Sequence, residues 1–283
     1  MIDETVTEIA DMQTHSSSVV AVKAAEALRS LTAETYPTVE EYLIAVEQNS
    51  DALRRANRSH ASLQTTQREI VRTLESADLG SVDEAKAKTE EVVEDVVARV
   101  QAAKERAAER AVDYLDDGAT VLTHDYSSTV LEAFELAVDD GATLEVYCTE
   151  ARPRYLGRKM VRTLAKMDGI DAHLLVDGAA GEVLPACDQV VVGMDCIVDD
   201  RLYNRVGTYP IAATAADMGV PIRVVGGEDK VVDGAFAFEN EFRPASEVML
   251  EPADGFVVEN PAYDATPTRL LDAAITDVTV HEF

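Results

Sequence analysis

Apolar residues recur at two different periods along this chain, and the change between them divides it. Over residues 17–31 (Ser-Ser-Val-Val-Ala-Val-Lys-Ala-Ala-Glu-Ala-Leu-Arg-Ser-Leu) they return every three or four positions behind a serine, the pattern of a capped amphipathic helix. Thr38-Val39-Glu40-Glu41, following Pro37, matches a capping box and predicts a helix toward residue 58. Ser81-Val82-Asp83-Glu84 matches another and predicts a long helix to about Leu115, whose charges of alternating sign describe a solvated face. The first part therefore reads as helix throughout.

From Gly118 the rhythm becomes short apolar runs alternating with helical stretches. Strands are predicted at residues 120–123, 143–147, 172–176, 189–192 and 222–225, with helices over 128–138 and 157–168 between them. Such alternation predicts a parallel, doubly wound sheet. The expected fold class is α/β: a helical domain over residues 1–117, then a mostly parallel, Rossmann-like domain over 118–283. Glycine usage agrees, since Gly80 stands alone before Gly118 and the other 13 of 14 follow.

The charge balance, 53 acids against 25 bases for a net −28, argues against nonspecific nucleic-acid binding, which needs a basic face. Only 7 of the bases are lysine, and a diffuse acid excess with scarce lysine suits a high-salt cytoplasm, where screening reaches roughly 3 Å at 1 M. Cys148, Cys187 and Cys196 form no CxxC pair, and with five scattered histidines no metal site is expected. No basic and apolar leader and no run of 18 apolar residues occurs, so a cytoplasmic protein without a membrane partner is expected.

Candidate chemistry collects at the predicted carboxyl ends of the strands, where open α/β sheets place ligands. Thr123-His124-Asp125-Tyr126-Ser127-Ser128-Thr129 leaves a strand and opens a helix, so the Ser127 and Ser128 hydroxyls meet free N–H groups suited to a phosphate; either serine would also serve as a plain helix cap. Cys148-Thr149-Glu150-Ala151-Arg152-Pro153 ends the next strand and offers Arg152 for bidentate phosphate recognition, while Cys148 itself reads as a small core residue. Asp195 follows the run Val190–Gly193. A hairpin-like excursion comes next, and Asn204-Arg205-Val206-Gly207-Thr208 then opens a helix able to donate to an anion. Lys230 follows the strand at 222–225. Together these residues outline a site for a small phosphorylated molecule that needs no cofactor.

His124-Asp-Tyr-Ser-Ser-Thr-Val, Thr149-Glu-Ala-Arg-Pro, Gly193-Met-Asp-Cys-Ile, Asn204-Arg-Val-Gly-Thr and Asn260-Pro-Ala-Tyr-Asp-Ala-Thr-Pro occur in this order. The set resembles the superfamily that unites the alpha, beta and delta subunits of translation initiation factor 2B with ribose 1,5-bisphosphate isomerase and methylthioribose-1-phosphate isomerase. In those isomerases, as the resemblance implies, a cysteine after the first motif's histidine works with the aspartate of the third. Asp195 matches that aspartate, but Asp125 stands at the cysteine's position. The isomerases' Arg-Gly-rich phosphate loop corresponds to Thr14-His15-Ser16-Ser17-Ser18-Val19, and Tyr36-Pro37-Thr38 stands where they favour Arg-Pro-Thr.

Two carboxylates facing a phosphorylated anion would repel it, and the missing arginines would weaken its binding. The reading these departures favour is a non-catalytic regulatory relative of the initiation factor subunits. It would bind a phosphorylated sugar or nucleotide through Ser127, Ser128, Arg152, Asn204, Arg205 and Lys230, with the initiation factor 2 alpha subunit as a partner implied by the resemblance. The alternative is an active sugar-phosphate isomerase using Asp125 and Asp195. A homodimer is expected, and the apolar tail from Asp254 to Phe283 either covers a neighbour or completes the chain's own core.

Overall fold

The structure is a computed structural model and describes residues 2–11, 16–232, 238–251 and 254–283. Of the segment matching the isomerases' phosphate loop, Thr14 and His15 lie outside the described residues. The chain divides into two compact units, Met1–Ala102 and Ala103–Phe283.

The first unit is helical: α1 (Ile2–Ala10), α2 (Ser17–Leu28), α3 (Val39–Ala56), α4 (Ala61–Ser76) and most of α5 (Val82–Val112). The Thr38 hydroxyl accepts the Glu41 N–H at 3.2 Å and so starts α3. Ser81 accepts the Glu84 N–H at 3.2 Å while the Glu84 carboxylate reaches back to the Gly80 N–H at 2.8 Å, a variant of the capping box that starts α5. Leu28, Tyr42, Leu53, Leu63, Ile70 and Val93 form its core, where the Tyr42 hydroxyl donates to Thr89 at 2.7 Å.

The second unit holds β1 (Ala119–His124), α6 (Ser128–Asp139), β2 (Leu144–Thr149), α7 (Leu156–Leu164), β3 (Ile170–Leu175), α8 (Ala180–Val183), β4 (Gln189–Gly193), β5 (Cys196–Val198), β6 (Arg201–Arg205), α9 (Thr208–Met218), β7 (Ile222–Val225), β8 (Val231–Val232), α10 (Ala245–Val248), β9 (Tyr263–Pro267), β10 (Ala273–Ile275) and β11 (Val280–Glu282). Seven strands form one sheet in the order β11-β10-β7-β4-β1-β2-β3, parallel except where β11 closes antiparallel on β10. Helix α6, α7 and the end of α5 pack on one face through Ala107, Phe134, Met160 and Leu164; α8 and α9 pack on the other through Ala180, Ile211 and Ala215. β1 pairs with β2 on one side and β4 on the other, so the strand order reverses there. At such a switch the loops leaving two neighbouring strands turn to opposite faces and leave a crevice between them.

A second sheet, β8-β5-β6-β9, grows from the loop after β4. The predicted hairpin is its β5–β6 pair, turning at Asp199 with φ 51°. Asn204 and Arg205 end β6 and do not open the following helix, as the sequence suggested; α9 starts only at Thr208, beyond Gly207 with φ 111°. The helix expected over 157–168 stops at Leu164, before Gly169 turns the chain with φ 97°. Gly157 lets α7 lie close against β2, since a Cβ there would fall 1.8 Å from the Thr149 carbonyl oxygen. Much of the tail completes this unit's own core: Tyr263, Leu271, Ala274 and Ile275 are buried in β9, β10 and the turn between them.

Candidate functional site

His124 ends β1, and its ring is fixed from two sides. Nε2 lies 2.9 Å from the Val206 carbonyl, which can only accept, so Nε2 carries the proton and Nδ1 accepts from the Thr149 hydroxyl at 2.6 Å. Gly207 makes room for the ring, because a Cβ there would sit 2.6 Å from Cε1. With both nitrogens engaged, His124 braces the turn that follows.

That turn presents Asp125 in the left-handed region, at φ 63°. Non-glycine residues in that region cluster where function holds the strain. Its Oδ2 accepts from Arg205 Nε at 3.0 Å in an ion pair whose side chains are 11% and 8% exposed. The other carboxylate oxygen, Oδ1, is buried without a hydrogen-bond partner, and so is Arg205 Nη1. Burial alone would lower the Arg205 pKa, but Asp125, Tyr263 and Asp195 together raise it well above the ordinary value. Asp195 therefore lies within electrostatic reach of the same guanidinium. It is half-buried just beyond β4, across the switch from Asp125, and makes no hydrogen bond or ion pair among the described residues.

The remaining expected residues are distributed around this pair. Ser127 caps α6 by accepting the Val130 N–H at 3.3 Å and packs on Gly193, where a Cβ would meet its Oγ at 2.6 Å. Ser128 occupies the first position of α6. Lys230 is buried beyond β7, and its ammonium donates to the Met194 carbonyl at 3.0 Å, beside Asp195. Asn204 is buried and donates to Thr208 Oγ1 at 3.1 Å. Arg152 is exposed: its backbone N–H donates to Asp177 at 2.7 Å and its guanidinium to the Val248 carbonyl at 3.2 Å.

One expectation is reversed outright. The start of α9 does not offer its donors to an outside anion, because Asp264 Oδ2 already accepts the Gly207 and Tyr209 N–H groups at 2.7 and 3.0 Å. The thiols take no part. Cys148 is fully buried near the carbonyls of Asp125 and Gly157, and burial first, then Asp125 and Asp177, push its pKa well above the ordinary value. Burial, Asp188 and Glu145 push Cys187 up to about 11. Burial and Asp195 raise Cys196, with Lys230 opposing them. All three are therefore poor nucleophiles near neutral pH.

Sequence reasoning missed Arg154 and Arg243, which line one pocket with Arg152, Arg205 and Asn260. Arg154 carried a faint signal, as the second arginine of Arg152-Pro153-Arg154. Arg243 carried none, since it lies in a segment without periodicity and reaches the site only through β9, whose flanking residue Asn260 accepts the Arg243 N–H at 2.8 Å. Among the described residues, no group of three or more His, Cys, Asp or Glu side chains is placed to hold a metal ion. No described helix is long and apolar enough to cross a membrane.

Against known proteins, the model of the initiation factor 2 subunit family matches residues 13–282. A protein of Haloterrigena turkmenica named ribose 1,5-bisphosphate isomerase is 36% identical over 179 residues, which cover 58% of this chain and 54% of that relative. The chain thus spans about half the length of that relative. One of the same name from Haloferax volcanii is 29% identical over 285 residues, covering 98% of this chain and 87% of the relative. Translation initiation factor eIF-2B of Pyrococcus horikoshii OT3 shares the fold with a TM-score of 0.82 at 24% identity, over 99% of this chain and 96% of that one. The 5-methylthioribose 1-phosphate isomerase of the same organism does so with a TM-score of 0.81 at 23% identity, over 99% and 84%.

These relatives overturn the expectation of a non-catalytic regulator, since further archaeal relatives also carry the isomerase name. One of the two physical objections behind that expectation also fails. It set two carboxylates against an anionic ligand, but Arg205 balances the charge of Asp125.

Proposed function

Because the chain belongs to the initiation factor 2 subunit family, we propose that it is a sugar-phosphate isomerase converting ribose 1,5-bisphosphate to ribulose 1,5-bisphosphate. The observation that carries this reading is the unpartnered Oδ1 of Asp125, a buried carboxylate oxygen in a strained turn facing the strand switch. A buried acceptor left unsatisfied is costly, and a substrate C–H or O–H is a natural partner for it.

The reaction moves protons without net oxidation. Protons leave carbon 2 and its hydroxyl, and protons join carbon 1 and the ring oxygen as the ring opens. Asp125, ion-paired and acceptor-only, is the base at carbon 2 and returns that proton to carbon 1. Asp195, whose carboxyl makes no ion pair among the described residues, gives a proton to the ring oxygen and recovers one from the hydroxyl of carbon 2. The Lys230 ammonium and the first turn of α6 at Ser127 and Ser128 receive one phosphate. Purified protein incubated with ribose 1,5-bisphosphate should form ribulose 1,5-bisphosphate with saturable kinetics; no turnover of this substrate would sink the reading.

Assembly is part of the same proposal. The segment before β9 exposes Phe242, Met249, Leu250, Phe256 and Val257, with Leu250 87% and Val257 81% exposed. Apolar side chains so concentrated in one stretch mark an interface, and a second copy of the chain is the partner. Light scattering should give twice the 30.6 kDa of one chain, and a monomer mass would refute the dimer.

A further inference from the structure

Lys230 closes a single turn of 3₁₀ helix, Glu228–Lys230, that follows β7. Its ammonium lies on a side chain that is only 6% exposed, and it carries three donors. Among the described residues one of them is used, on the Met194 carbonyl at 3.0 Å. A lysine reaches such a depth on a flexible four-carbon stem. Where the ammonium rests therefore depends on how firmly the turn beneath it is held.

The turn is held by the β10–β11 hairpin, and the grip closes on Glu228. The Glu228 N–H donates to Asp277 Oδ1 at 2.8 Å, and Arg106 of α5 donates to the other oxygen of Asp277 at 3.3 Å. The buried Thr276 hydroxyl has two acceptors in reach, Glu228 Oε2 at 2.5 Å and the Thr279 carbonyl at 2.8 Å. That carbonyl already takes the Thr276 N–H, so the hydroxyl proton goes to the carboxylate, where the bond is charge-assisted. His281 Nε2 on β11 lies 3.1 and 3.0 Å from the two Glu228 oxygens, which can only accept, so this nitrogen carries a proton. One carboxylate thus gathers two side chains of the hairpin, and the backbone of the same residue gathers a third.

We propose that Glu228 is a positioning residue: through Thr276, Asp277 and His281 it clamps the turn that delivers the Lys230 ammonium to a phosphate of the substrate. The inference rests on the isomerase reading, in which Lys230 receives that phosphate, and adds what keeps the ammonium in place. Glu228 touches no substrate itself. Without its carboxylate the Thr276 hydroxyl turns to the Thr279 carbonyl, His281 loses its acceptor, and the turn keeps only its backbone bonds and Asp277. A buried ammonium gains water by moving outward, so a loosened turn lets it withdraw from beside Asp195. A displacement of about 1 Å at a positioning group is enough to be felt in catalysis.

Calorimetric titration of the full chain with ribulose 1,5-bisphosphate tests this in Glu228→Ala, Lys230→Met and the double variant. Lys230→Met should weaken binding about ten- to a hundred-fold, the worth of one charged hydrogen bond, and Glu228→Ala about ten-fold. The double variant should bind no more weakly than Lys230→Met alone, because Glu228 acts only through the lysine. Losses that multiply, or full affinity in either single variant, overturn the clamp; a lower melting temperature at full affinity would make Glu228 purely structural. If Glu228→Ala does not fold, Thr276→Val reads the same coupling, with a few-fold loss expected alone and none beyond that of Lys230→Met when combined with it. Turnover of ribose 1,5-bisphosphate, measured alongside, separates the two ideas. Coupled losses without turnover leave the clamp and remove the isomerase reading, turnover with multiplying losses does the reverse, and an unaltered protein that neither binds nor turns over loses both.

Discussion

Asp195→Asn should lower turnover of ribose 1,5-bisphosphate by roughly 10²–10⁴-fold, the usual worth of a positioned acid–base group. The amide cannot give a proton to the ring oxygen or recover one, yet it occupies nearly the same volume. Asp195 makes no hydrogen bond or ion pair among the described residues that the change would break, so the melting temperature should hold steady. Removing a negative charge beside Lys230 should leave sugar-bisphosphate affinity unchanged or tighten it. A fall in kcat with an unchanged or smaller KM is therefore the signature. Retained turnover would remove Asp195 from the chemistry, and loss of both folding and turnover would make it a structural residue instead.

Arg205→Gln should cost about 3–5 kcal/mol of stability, because it leaves Asp125 buried without its counter-charge. At roughly 2–4 °C per kcal/mol for a domain of this size, the loss is plain in a thermal melt. The pair itself need not be strongly stabilising, since both ions have lost water; the cost lies in breaking it one-sidedly. Adding Asp125→Asn should therefore restore much of the melting temperature lost by Arg205→Gln, while turnover stays lost. A double variant no more stable than Arg205→Gln alone would show that the two side chains do not depend on each other.

The layout of the fold was legible from local pattern. Val-rich runs bounded by glycine marked the inner strands, and Thr38 and Ser81 marked helix starts by the chemistry of their caps. The position of Asp195 followed for the same reason, since a residue just past a buried strand must come out on the rim. What sequence could not carry was the pairing across distance. Asn204-Arg205-Val206-Gly207-Thr208 contains a genuine helix start, and nothing local says that its first two residues still belong to a strand. That assignment comes from β9, which pairs with β6 from Arg201 to Arg205. The same pairing decides the chemistry: read alone, Asp125 is an added negative charge, and only the folded position of Arg205 turns it into half of a neutral pair. The donors of α9 were misassigned in the same way, since Asp264 is remote in sequence from the N–H groups it takes.

The β6–β9 ladder also sets an order of events. Arg205 lies opposite Tyr263, so the strand that holds the guanidinium in place is made well after the arginine itself. Contacts between residues so far apart along a chain close late, after the entropy of the intervening loop has been overcome. β1 and β2 can pair as soon as residue 149 exists, and the turn bearing Asp125 is present from then on. Its counter-ion is fixed only when β9 pairs with β6, so a chain in which that ladder has not formed carries the strained turn and its carboxylate without the partner that makes burying them tolerable.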